Sequence, residues 1–94
     1  MNVYAHKDGI LALKPDQQEA CKAAGVTLLS LFEKVPAGGI LIADTRPKGF
    51  VGGRGPDDPA ATMLYIGGTF ASCEKTLYFE SFDRALKKAI KLAA

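Results

Sequence analysis

The sequence predicts an α+β fold: a small two-layer sandwich in which two helices cover one face of a mainly antiparallel sheet. Two segments place apolar residues at the three- and four-residue spacing of a helix, and short apolar runs bounded by turn residues lie between them. With 94 residues, 48% of them hydrophobic, the chain suits a single domain, 1–94, with one modest core. The predicted element order is β-α-β-β-β-α.

The N-terminal segment predicts a strand followed by the start of a helix. Residues 2–13 indicate a strand, or a short hairpin that turns at Lys7-Asp8-Gly9, because Asp-Gly is a strong two-residue turn signal. A helix is expected to begin at Pro15, since proline suits a first helical turn. Asp16 and Glu19, three residues apart, have the form of a capping box.

Apolar residues continue beyond that start at helical spacing. They are Cys21, Ala24, Leu28, Leu31 and Val35. Gly25 interrupts the pattern at a cost of about 1 kcal/mol if the helix continues through it. We therefore expect one helix, bent or broken at Gly25, which ends at Lys34–Val35 before Pro36.

Three strands are predicted in the second half. The apolar run 40–43 suits a buried strand, and residues 63–70 a second strand. The residues expected on one face of that second strand are Leu64, Ile66 and Phe70. Gly67-Gly68 inside it indicates a bulge or, alternatively, a hairpin turn. We favour a turn at residues 71–74, with residues 75–80 as the partner strand.

The last element is a helix from Ser81 or Phe82 to Leu92. Ser81 is a suitable N-cap, and Asp83 lies in the first turn, where negative charge is favourable. The apolar face comprises Phe82, Leu86, Ala89, Ile90 and Ala93, and the cations lying away from it are Arg84, Lys87, Lys88 and Lys91.

A long Gly/Pro-rich loop at residues 46–62 is the most informative segment for function. Loops of this length are uncommon in compact domains and are usually functional or disordered. This one carries Arg46, Lys48, Phe50 and Arg54. Strand alternation also places Tyr65 and Tyr78 together on the outward sheet face, with Tyr4 as a third candidate.

These features predict a small non-enzymatic interaction protein, with the profile of phage or mobile-element proteins, that binds a larger protein or nucleoprotein partner. Inhibition of that partner is a further hypothesis. The expected contacts are Arg46, Lys48, Phe50, Arg54, Tyr65 and Tyr78. One alternative is a nucleic-acid-binding module that uses the sheet face, the arginine-containing loop and the basic C-terminal helix. Its phosphate contacts would be Arg84, Lys87, Lys88 and Lys91. Net charge is only +2, which is modest for such a protein.

Another alternative is a phosphate or nucleotide site at the GGRG sequence, residues 52–55, whose backbone N–H groups and guanidinium suit an anion. The glycines match neither the Walker nor the dinucleotide-binding spacing. The sequence shows no catalytic triad. His6 is the only histidine, and no neighbouring residue in the sequence is indicated as a nucleophile that it could activate. Cys21 and Cys73 are expected to be reduced thiols. We expect no enzyme activity, no metal and no cofactor.

The C-terminal third is similar in outline to the end of integrase arm-binding and AP2-type DNA-binding domains, in which a strand ending in F-x-[ST] precedes an alanine-rich helix. The corresponding residues are Phe79, Ser81, Phe82, Ala85 and Ala89. The resemblance covers about a third of the chain, and the first half, with its long predicted helix, departs from the AP2 outline.

No apolar run approaches the roughly 18 residues that a membrane span requires. The N-terminal residues lack the basic and apolar regions of a secretory signal, so we expect a cytoplasmic location. A homodimer is a further expectation, because exposed apolar area on a small sheet is often covered by self-association.

Overall fold

The computed structural model describes residues 1–8, 12–30, 33–44, 62–67 and 73–94. They form five strands and two helices. In chain order these are β1 (Val3–His6), α1 (Pro15–Ala23), β2 (Thr27–Leu29), β3 (Ile40–Asp44), β4 (Thr62–Ile66), β5 (Lys75–Phe79) and α2 (Phe82–Ala93). The predicted α+β class is confirmed.

The five strands form one mixed sheet in the order β2-β1-β3-β4-β5. Strand β1 lies between β2 and β3 and is parallel to both, whereas β3 pairs with β4, and β4 with β5, in antiparallel fashion. The expected mainly antiparallel sheet is therefore wrong, because half of the strand pairings are parallel. The predicted order also lacked β2.

The extra strand arises because α1 ends at Ala23 rather than continuing to Val35. Gly25 has φ +79°, a left-handed conformation that glycine adopts without strain. The N–H of Gly25 donates to Lys22 O at 3.1 Å, and the N–H of Val26 donates to Cys21 O at 2.8 Å. This pair of bonds is the Schellman motif, which closes a helix. The β-branched residues that follow then favour β2.

The N-terminal segment also differs from the prediction. Strand β1 ends at His6, and Leu13 N–H donates to Lys7 O at 3.1 Å, so residues 12–14 do not extend the strand. The predicted hairpin would include residues 9–11, which lie outside the described residues. Helix α1 begins at Pro15 as expected. Its capping contact is Lys14 N–H to Gln17 Oε1 at 2.8 Å rather than one between Asp16 and Glu19.

The second half follows the predictions more closely. Strands β3 and β5 and helix α2 lie within a residue of their predicted bounds. Strand β4 ends at Ile66 instead of residue 70, because Gly67 adopts φ +89° and turns the chain away. The choice between a bulge and a hairpin turn at Gly67-Gly68 involves Gly68, which lies outside the described residues. The expected positions of Phe70 and of the turn at 71–74 fall largely outside the described residues.

The hydrophobic core lies between one sheet face and both helices. Alternate residues of the central strands contribute to it: Val3, Ala5, Ile40, Ile42 and Leu64. The helices supply Cys21, Phe82, Ala85, Leu86 and Ala89 to the same cluster. This confirms that two helices cover one face of the sheet. Burying one such aliphatic side chain stabilises the fold by about 1.5–3 kcal/mol.

Candidate functional site

Helix α2 is held firmly at its start and along its inner side. The Ser81 side-chain oxygen accepts a hydrogen bond from Arg84 N–H at 3.3 Å, which confirms the predicted N-cap. Asp83 lies in the first turn. The buried side chains of α2 are Phe82, Ala85, Leu86 and Ala89. The helix therefore presents a fixed outer side to solvent.

That outer side carries Arg84, Lys87, Lys88 and Lys91, which we call the cationic face. These residues follow the i, i+3, i+4, i+7 spacing, so they form one stripe on the side of the helix opposite the buried residues. At 1.5 Å per residue the stripe extends for about 10 Å. Three of its side chains are exposed and Lys88 is half-buried. The predicted cations are thus brought together.

No described neighbour neutralises the charges of the cationic face. Within the described ranges no ion pair engages any of the four side chains. Asp83 is the only acidic residue of α2, and no acid follows it in the chain. The partial negative charge at the helix C-terminus stabilises the positive charge of Lys91 in the last turn. It does not reach the other three cations, because the effect falls off within one turn.

The sheet face opposite the helices carries the predicted tyrosines. Tyr4 pairs with Leu41, Leu41 with Tyr65, and Met63 with Tyr78. Because side chains alternate along a strand, all three tyrosines lie on this face, as predicted. Tyr78 is 51% exposed.

Tyr65 is less exposed than Tyr78. Its side chain is half-buried, and its hydroxyl lies 3.3 Å from Met63 Sδ. At the centre of the face, Leu41 and Ala43 are buried, although neither belongs to the cluster beneath the helices. The outward face is therefore not an open apolar surface, and Tyr78 is its exposed aromatic residue within the described part of the chain.

The loop residues expected to contact a partner, Arg46, Lys48, Phe50 and Arg54, lie outside the described residues. The GGRG sequence at 52–55 lies there too, so the anion site remains a prediction. The structure describes only the residues at the two ends of the loop region, Asp44 and Thr62, which are paired neighbours in β3 and β4.

His6 has an environment that sequence reasoning did not predict. The side chain is 6% exposed, and its Nδ1 is buried without a hydrogen-bond partner among the described residues. Leaving such an atom unpaired costs about 1–3 kcal/mol. Among the described residues no group of three His, Cys, Asp or Glu side chains could hold a metal ion.

The two thiols differ in environment. Cys21 is buried in α1, and burial raises its pKa, which keeps the thiol protonated. Cys73 is half-buried, with its Sγ 3.4 Å from Thr76 Oγ1. Both are free thiols, as predicted.

Comparison of this chain with known protein families, curated proteins and solved structures finds no match. Among the residues that the structure describes, neither helix has the length and apolar character needed to span a membrane.

Proposed function

We propose that this chain is a non-enzymatic protein that binds nucleic acid, and that the cationic face of α2 contacts the phosphate backbone. The observation that carries the proposal is the alignment of Arg84, Lys87, Lys88 and Lys91 on the side of a well-anchored helix opposite the core, with no ion pair to any residue that the structure describes. Phosphate contacts of this kind come from arginine and lysine and are largely independent of sequence.

The length of the stripe favours a polymer of charges over a single small anion. Double-stranded DNA carries one charge per about 1.7 Å of axis, so about 10 Å of duplex offers several phosphates to four cations. The modest net charge of the whole chain is compatible with this, because four of its twelve lysine and arginine residues lie together on one face of α2.

A lipid surface fits the helix less well. A basic amphipathic helix binds a membrane by burying its apolar side among the lipids. In α2 that side is already packed against the sheet, with Phe82 and Leu86 both buried. Ile90 and Leu92 remain 39% and 37% exposed, so what the helix offers a partner is mainly, though not only, charge. This favours backbone contacts with nucleic acid.

The test is fluorescence anisotropy of labelled single- and double-stranded oligonucleotides, titrated with the protein at several salt concentrations. If all four cations contact a duplex, the logarithm of the association constant should fall with log salt at a slope of about −3 to −4. An absence of binding at low salt would overturn the proposal, as would binding that salt does not weaken.

Charge-neutral variants locate the site. Lys87→Gln with Lys91→Gln keeps helix propensity, removes two cations and should reduce the slope by about 2. The matched control is Lys22→Gln, which removes an exposed cation from the last turn of α1 and should leave the slope unchanged. Equal effects of the two changes would show non-specific attraction to a basic protein instead.

The exposure of Tyr78 favours a second candidate, the binding of a larger protein or nucleoprotein at the outward sheet face. Exposed tyrosines supply apolar contact area together with a hydroxyl group. For such a partner, Tyr78→Ala should weaken binding while oligonucleotide affinity and its salt slope stay the same. If Tyr78→Ala bound the protein partner normally but lost affinity for oligonucleotides, this candidate would be excluded.

A further inference from the structure

We infer that two copies of this chain associate through antiparallel pairing of β5 with β5, which joins two five-stranded sheets into one continuous ten-stranded sheet. This goes beyond the proposed function, because it assigns a second surface and its occupant. It also makes specific the expectation of a homodimer.

The two edges of the sheet differ in how they are protected. Strand β2 has only three residues, and short edge strands are a common protection against further pairing. Strand β5 has five residues, and no described strand pairs with its outer edge. Its central residues, Thr76, Leu77 and Tyr78, include neither charge nor proline. Of the two edges of the described sheet, β5 is therefore the one better suited to pairing.

A second copy is an occupant that complements this edge. If the two-fold axis passes beside Tyr78, the two Tyr78 side chains meet on the outward face, and Leu77 lies opposite the partner's Phe79 on the helix face. An axis at Leu77 would instead place Glu74 opposite the partner's Glu80, which like-charge repulsion disfavours. The register centred on Tyr78 brings aromatic and aliphatic pairs together without opposing like charges.

This arrangement fixes where the helices lie. Antiparallel pairing that keeps each face continuous requires a two-fold axis normal to the sheet, so α2 of both copies lies on the same side. Both cationic faces then point in one direction. If the proposed function holds, binding of one duplex to both cationic faces of the dimer should depend on salt with a slope approaching twice that of a single cationic face.

The test is the mass of the protein measured by sedimentation equilibrium, without nucleic acid, from low to high micromolar concentration. A single pair of five-residue strands is a small interface, so we expect a concentration-dependent equilibrium of monomer and dimer. Tyr78→Lys should give a monomer, because two ammonium groups would meet at the axis. The matched control, Thr27→Lys at the exposed position of the other edge strand, β2, should still dimerise.

A disulfide at the axis gives a second measurement that does not depend on a weakened variant. In a Cys73→Ser background, Tyr78→Cys would place two thiols on directly opposed residues about 4.5–5.5 Å apart at Cα, within the range for a disulfide. Oxidised glutathione should convert this protein to a covalent dimer much faster than it converts Lys22→Cys in the same background.

Circular dichroism of each variant verifies that it is folded. A wild-type protein that is monomeric at every concentration would overturn the inference, as would loss of the dimer in Thr27→Lys with retention in Tyr78→Lys. Neither result bears on oligonucleotide binding by the cationic face, which is measured separately. Failure of oligonucleotide binding would likewise leave the mass measurement unaffected.

Discussion

Tyr4 packs its ring directly against the backbone of Gly39. A β-carbon placed on Gly39 would lie 2.8 Å from Tyr4 Cε2 and 2.8 Å from the carbonyl oxygen of Asn2. That carbonyl accepts the hydrogen bond from Ile40 N–H at 2.9 Å that helps to attach β3 to β1. Gly39 therefore permits the close approach of the two parallel strands at their N-terminal end.

Gly39→Ala should destabilise the protein by about 1–3 kcal/mol, because the added methyl group overlaps both a ring and a backbone atom. Urea denaturation provides the measurement. Combining it with Tyr4→Leu should recover only part of the loss, since the Asn2 oxygen belongs to the backbone and cannot move independently. If Gly39→Ala alone were as stable as the wild type, the close packing of Tyr4 on Gly39 would be contradicted.

Gly25→Ala tests a different property of glycine, its left-handed backbone. No atom lies within 4 Å of a β-carbon at this position, so there is no steric overlap with neighbours. The φ of +79° should nevertheless cost about 1–2 kcal/mol for alanine. Thermal and urea unfolding would detect the loss, and Ala24→Ser, at the adjacent exposed C-cap, is the control with little expected change. If Gly25→Ala left stability unchanged, the Schellman ending of α1 would be in doubt.

His6→Leu should leave the free energy of unfolding unchanged or increase it. The imidazole Nδ1 is buried without a partner among the described residues, and replacing an unsatisfied polar group by an apolar one of similar size removes its desolvation cost. The measurement is urea denaturation, with His6→Asn as the comparison that keeps a buried polar group and should be less stable. A clear loss of stability in His6→Leu would show that the imidazole makes a contact that its apolar replacement cannot make.

Cys21 should make stability depend on alkaline pH. Its pKa is raised in the folded state by burial, so the folded thiol keeps its proton where the unfolded thiol begins to lose it. The stability contributed by the protonated thiol is complete below the unfolded pKa, about 8.5, and is lost as pH rises through the higher folded value. Cys21→Ala should be less stable at neutral pH but should lose less stability between pH 8 and 10. Identical pH profiles for the two proteins would contradict this.

The predictions that succeeded concern elements whose signals are local. Helix α2 combines a serine N-cap, an acidic first turn and apolar spacing that identify it within about a dozen residues, and the cationic face follows from the same spacing. Strand β3 is an apolar run bounded by glycine and aspartate, and β5 alternates inward and outward residues. In these segments local preference and tertiary packing agree.

The predictions that failed concern competition between distant segments. Residues 27–29 satisfy a helical apolar pattern in isolation, yet they form β2, because Gly25 closes α1 and β1 offers a parallel edge more than twenty residues away in sequence. Only the assembled sheet decides whether such a pattern is used as helix or strand.

The sequence by itself determined the α+β class, the α2 helix with its basic stripe, and the shared face of Tyr65 and Tyr78. Tertiary structure decided that half of the strand pairings are parallel, that Tyr65 is half-buried while Tyr78 is exposed, and that β5 is an edge. The physical reason is that periodicity and capping depend on residues a few positions apart. Strand order and exposure depend on which segments of the whole chain bury their apolar surface against one another.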